Sequence, residues 1–130
     1  YMHKGFLRTG AIIGMLSVIL GAFAAHTLKG MISDHAIATF ETGVRYQFYH
    51  SFALLMTGML YKEFNFKATK IAGWLFITGI IIFSGSLYCL TYLQASVNPG
   101  FRWIGAITPF GGLCFITGWI FLFLSFFRNK

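Results

Sequence analysis

Charge is what this sequence has least of. Only 10% of its 130 residues are Asp, Glu, Lys or Arg, and three of them are acidic. A soluble domain carries roughly 25% charged residues, so this chain lacks the side chains needed to cover a water-facing surface. Cysteine is nearly absent too. Cys89 and Cys114 both lie inside apolar runs, with no CxxC or Cys/His spacing. That speaks against a disulfide framework or a zinc site and leaves them as small packing residues. The net charge of +7 does not indicate a nucleic-acid groove, because the ten Lys and Arg are scattered in short segments between apolar stretches. What is abundant is apolar: 57% of residues, with sixteen Phe. The expected solvent is a lipid bilayer.

Four apolar runs appear, Phe6 to Ala25, Tyr46 to Tyr61, Ile71 to Leu93 and Trp103 to Phe127. About 20 helical residues cross the hydrocarbon core. The second run is short unless its helix begins near Gly43 or earlier. The expected fold is therefore an all-α integral membrane four-helix bundle, one domain with spans at about 6–25, 44–61, 71–93 and 103–127. Tyr1 precedes Met2 and reads as a remnant or an alternative start, and no cleavable signal is expected.

Seven of the ten Lys and Arg fall on one side of this topology: Lys4, Arg8, Lys62, Lys67, Lys70, Arg128 and Lys130. Lys29, Arg45 and Arg102 fall on the other. The positive-inside rule then expects a cell-membrane protein with both termini cytoplasmic. Ser33 or Asp34 is a candidate cap for a helix starting at His35. Ala36, Ile37, Phe40 and Val44 recur at helical spacing, which suggests an amphipathic interfacial segment entering the second span, with Gly43 as a bend. Asn98-Pro99-Gly100 reads as a turn, and Pro109 as a kink in the fourth span. The tetrapeptide FITG occurs twice, at 76–79 and 115–118, a weak internal echo that fits either duplication or coincidence.

The polar residues concentrate in the outward half. Glu41, Arg45 and Tyr49 share a helix face at i, i+4, i+8, and Tyr46 and His50 share the adjacent one. Counting from the outer boundary places His50 about 6 Å, Thr108 about 9 Å and Ser86 about 10 Å deep. His26, Gln47, Ser84 and Tyr88 join the same layer. The inner half reads IIGML, LLMTGML, LFITG and FLFLSFF. Two readings stay open: a shallow polar pocket, since ionisable groups inside spans mark function, or interhelical hydrogen bonding. In the second, Glu41 and Arg45 neutralise each other for membrane entry. No catalytic spacing is present, and His26 with His50 makes too thin a set for a metal or haem. No cofactor, metal or catalytic residue is expected.

GAFAAHTLK at 21–29, FETGVRYQFYHSFALL at 40–55, FSGSLYCL at 83–90 and GAITPFGGLCFITGW at 105–119 resemble, in order and over nearly the whole chain, the small bacterial membrane proteins catalogued as domain of unknown function 423. That family is similar to eukaryotic transmembrane-protein-256-like proteins. Ala24 stands where the pattern has Gly, and Gly43 where it has Ala, both small-for-small. The resemblance implies a four-span membrane protein and no particular activity. The matching motif positions include His26, Glu41, Arg45, Tyr46, Gln47, His50, Ser84, Ser86, Tyr88, Thr108 and Pro109.

The first functional expectation is a non-enzymatic binding or accessory protein. It would hold a lipid headgroup or small amphiphile at the outer leaflet, or dock on a larger membrane complex. Arg45 is the anion contact, Glu41 orients it, and His50, Gln47 and Tyr46 supply hydrogen bonds. The alternative is a small transporter or channel built as a homo-oligomer, for which Gly10 and Gly14 offer a GxxxG pair. A membrane enzyme ranks last. Membrane lipid, further copies or a larger complex are the expected partners; nucleic acid is not.

Overall fold

The structure, a computed structural model, describes residues 1–95 and 99–128, without the side chains of 99–102. Helix α1 (Lys4–Phe23) opens with His3, whose Nδ1 accepts the Phe6 N–H at 3.1 Å, and continues as a π turn, Ala24–Leu28. A short link follows, in which Gly30 takes φ +87°, a left-handed conformation that suits glycine. Ser33 is the N-cap of α2 (Asp34–Leu60), accepting the Ala36 N–H at 3.1 Å, and Asp34 in the first turn suits the positive end of the helix dipole. Then α3 (Lys67–Gly79) passes through a π turn (Ile80–Ser84) into α4 (Gly85–Ala95). A 3₁₀ segment (Pro99–Ala106) leads into α5 (Thr108–Ser125). Among the described residues there is no strand, only an isolated bridge between Lys29 and Ile32.

Among the described residues three helical stretches are long and apolar enough to cross a membrane: Lys4–Leu28, Lys67–Ala95 and Trp103–Ser125. The region expected to hold the second span is the 27-residue α2, which does not pass that test because even its last 18 residues include Arg45, Gln47 and His50. It runs without a break through Gly43, so the expected interfacial segment is the first third of the same helix. Ala36 and Phe40 are buried there, and the Phe40 ring packs on Phe23 and Tyr88 at 6.3 and 5.0 Å.

Helix α2 packs on α1, α3 and α4, while α5 packs on α3 and its π turn. Glycine makes these approaches possible. The two FITG motifs face each other: a Cβ on Gly79 would run into the Phe115 ring, and a Cβ on Gly118 would run into Phe76. Each motif's phenylalanine thus seats in the other's glycine notch. Ala53, Ala72, Phe76 and Leu122 form a buried cluster, with Leu60 and Phe121 against it.

Two expectations are corrected. Pro109 does not interrupt an α-helix; within the Trp103–Ser125 span it sits in the first turn of α5, just after the 3₁₀ segment, where the missing N–H has no α-helical partner to lose. Gly10 and Gly14 do not offer a self-association face, because Gly10 lies against Leu55 and Gly14 against Ser51, both on α2. Asn98, the first residue of the expected turn, lies outside the described residues.

Gly111 lies against the Phe83 backbone, whereas a Cβ on Gly85 or Gly112 would meet open space. Backbone cannot move aside as a flexible side chain can. Gly111→Ala is therefore expected to destabilise the protein by about 1–3 kcal/mol, with Gly85→Ala and Gly112→Ala neutral or slightly stabilising. Unfolding in detergent, followed by circular dichroism, measures the ordering of the three variants.

Candidate functional site

The outer polar residues separate into joints between helices and side chains left on the surface. Gln47 is the hub of the first group. Its Nε2 donates to the Ile13 carbonyl at 3.3 Å, tying α2 to α1, and its Oε1 accepts the Tyr88 hydroxyl at 2.5 Å, tying α2 to α4. The Tyr88 ring lies where a Cβ on Gly43 would be, so the small residue at 43 admits it. The Ser84 hydroxyl, at the end of the π turn, donates to the Gly43 carbonyl at 2.7 Å. The Ser86 and Thr108 hydroxyls bond each other at 2.6 Å, joining α4 to the start of α5. Their similar depth follows from the antiparallel course of the two spans, as residue counting anticipated.

His50 belongs elsewhere. It is 5% exposed and sits among Phe76, Phe115 and Trp119, with its ring stacked on Phe115 at 3.6 Å and 9°. Trp119 Nε1 donates to His50 Nε2 at 3.1 Å, and His50 Nδ1 is 2.8 Å from the Tyr46 carbonyl. An indole N–H donates and never accepts, so Nε2 is the acceptor and Nδ1 carries the proton toward Tyr46. The expected depth of about 6 Å rested on a helix boundary at Tyr46. With the helix starting at Asp34, His50 lies about 24 Å along it, level with the aromatic seats of α3 and α5 rather than with Ser86 and Thr108.

The remaining candidates form no part of this network. Glu41, Arg45 and Tyr49 are exposed along one face of α2, and among the described residues Glu41 and Arg45 form no ion pair. The same face continues through exposed Phe52, Met56 and Met59. Tyr46 is 38% exposed, its ring edge-on to Phe83 and Tyr49 at 4.9 and 5.8 Å. His26 is exposed on the π turn that ends α1. The structure therefore brings Gln47, Tyr88, Ser84, Ser86 and Thr108 into interhelical hydrogen bonds and leaves the side chains of Glu41, Arg45, Tyr46 and His26 outside them, with Tyr46 meeting Phe83 through its ring alone.

Among the described residues no buried side-chain polar atom lacks a partner, and no group of three His, Cys, Asp or Glu gathers as metal ligands. A shallow apolar hollow of about 440 Å³ lies between Tyr88, Cys89, Tyr92 and Leu93 on α4 and Ile104 of the 3₁₀ segment. Sequence reasoning missed Trp119 as a partner of His50. Its signal was chemical: an indole N–H deep in a span requires an acceptor, and His50 offers one.

Trp119→Phe keeps the aromatic packing and leaves His50 Nε2 without its donor. The expected cost is about 1 kcal/mol, with a loss of similar size for Tyr88→Phe, which strips Gln47 Oε1 of its donor. A double-mutant cycle on unfolding in detergent should give near-additive losses, because the two bonds share no residue.

The comparisons fit this architecture. The family model described as "Protein of unknown function (DUF423)" matches residues 20–112. A UPF0382 membrane protein of Staphylococcus aureus (strain bovine RF122 / ET3-1) is 44% identical over 125 residues, 96% of this chain and 97% of its own. The UPF0382 membrane protein YwdK of Bacillus subtilis (strain 168) is 42% identical over 123 residues, 94% of this chain and 95% of its own. No solved structure matches. With the family model covering more than half of the chain and relatives aligned over nearly all of it, the chain belongs to the DUF423 family of membrane proteins, a family described by its lack of an assigned function.

Proposed function

We propose that this is a four-span cell-membrane protein with both termini cytoplasmic, acting as a non-catalytic binding or accessory protein at the outer leaflet. The observation that carries this reading is the division of the polar residues. Those in the interior satisfy one another, while Arg45 and Glu41 stand exposed on α2 above a face that turns apolar at Phe52. A 27-residue helix is about 40 Å long, some 10 Å more than the hydrocarbon core. With the Leu60 end of α2 at one boundary, the other boundary falls near Glu41 and Arg45 lies about 6 Å below it, a depth from which its long side chain snorkels to the headgroups. A guanidinium there, free of a protein carboxylate, suits the phosphate or carboxylate of an amphiphile. Tyr46 and Tyr49 stand beside it and one turn below, with aromatic bodies that suit acyl chains and polar tips.

The same division argues against a catalytic layer, since Ser84, Ser86, Tyr88 and His50 are committed to other helices. Ala53, Ala72, Phe76 and Leu122 fill the inner half, which supports binding over conduction through a single copy.

Native mass spectrometry on the protein, gently extracted from its own membrane, tests the reading. A retained adduct of defined mass is expected, lost in Arg45→Ala while the helical content stays unchanged. Equal adduct occupancy in the variant and the parent would exclude Arg45 as the contact.

A further inference from the structure

The opposite end of the bundle carries a second feature that the polar layer does not use. The first turn of α3 presents Lys67 and Lys70, both exposed, and one turn further along the same face stands Trp74, 54% exposed. Positions i, i+3 and i+7 fall within a narrow sector of a helix. The C-terminal end of α5 folds onto this corner. The Phe126 ring meets Phe64 edge-on at 5.1 Å, and the Arg128 guanidinium lies over Phe66, 5.6 Å from its centroid. Phe66 is the residue before Lys67, so this contact sets Arg128 beside the first turn of α3, some sixty residues away in the chain.

Their depth is fixed by length. The stretch Lys67–Ala95 has 29 residues, about 43 Å of helix against about 30 Å of hydrocarbon. About four residues at each end must lie outside the acyl region. Lys67 and Lys70 then sit among headgroups, and Trp74, about 6 Å below Lys70, sits at the top of the acyl chains, where tryptophan anchors spans. Lys67, Lys70 and Arg128 form no ion pair among the described residues, and Glu63 is the single carboxylate in this stretch of chain.

We infer that the Lys67–Lys70–Trp74 face of α3, completed by Arg128, is a docking site for the headgroup of an acidic phospholipid. The two ammonium groups and the guanidinium take the phosphate and its net negative charge, and Trp74 lies along the upper acyl chain. This site does not depend on the reading of Arg45, which lies at the other end of the bundle.

The test uses the full chain in nanodiscs of phosphatidylcholine containing brominated phosphatidylglycerol or brominated phosphatidylcholine. Quenching of Trp74 is read as the difference between the parent and Trp74→Phe. A preference for phosphatidylglycerol on the order of ten-fold is expected, since each cation near a charged headgroup contributes a several-fold factor. It should collapse toward unity in Lys67→Gln/Lys70→Gln/Arg128→Gln and at about 1 M salt, where the Debye length is about 3 Å. It should survive in Lys67→Arg/Lys70→Arg, which keeps the charge, and in Lys4→Gln/Arg8→Gln, which lowers the charge of the same rim elsewhere. Equal quenching by the two lipids in the parent would overturn the proposal. So would an equal loss in Lys4→Gln/Arg8→Gln, which would assign the preference to diffuse rim charge, or displacement by millimolar inorganic phosphate, which would assign it to a free anion.

Discussion

The reciprocal seating of Phe76 and Phe115 in the notches of Gly118 and Gly79 is the contact on which the middle of the bundle depends. In a bilayer, helices gain nothing from hiding apolar surface from one another, because the lipid is equally apolar. Association rests on close packing, and close packing needs a large side chain opposite an absent one. Here that complementarity is made twice by one tetrapeptide on two antiparallel helices. The arrangement brings α3 and α5 together and sets the plane of the Phe115 ring. That ring becomes the floor on which His50 stacks. Trp119 then lies one residue beyond Gly118, in reach of His50 Nε2. One steric fit therefore positions an aromatic box, and the box positions the buried imidazole.

A second constraint operates above it. Backbone and side-chain polar groups inside a membrane must find partners within the protein. The π turn at Ile80–Ser84 widens the helix locally through i→i+5 bonding and ends at a serine that reaches the Gly43 carbonyl across to α2. Gln47 uses both ends of its amide, one toward α1 and one toward α4. These joints tie α1 and α4 to α2, the helix that both contact. Side chains that would otherwise be expensive to desolvate become specific connections, and among the described residues no buried side-chain polar atom is left without a partner.

The two ends of the bundle differ. At one end Glu41 and Arg45 stand exposed on α2, accompanied by Tyr46 and Tyr49. At the other, the basic residues of the link between α2 and α3 meet the C-terminal end of α5. On the proposed reading these are two chemically distinct collars facing lipid headgroups, as suits an accessory or binding protein.

Much of this was legible in the residues alone. The scarcity of charge decided the solvent, because no arrangement of so few charged side chains covers a soluble surface. The apolar runs decided where helices would lie, and the order of motifs pointed to the family. The grouping of Gln47, Ser84, Ser86, Tyr88 and Thr108 in one layer was also readable, since depth in an antiparallel bundle follows from counting residues. The sequence could not say that the layer would be consumed by its own contacts, nor that Arg45 and Glu41 would stay apart. It misjudged His50, whose depth depended on where α2 begins, and Gly10 with Gly14, whose spacing suits an intramolecular helix as well as a second copy. Composition and periodicity are local properties of the chain and determined its class, its helices and their order. Which face of each helix meets which neighbour depends on how a few large and small side chains interlock at a distance, and only the tertiary structure decided that.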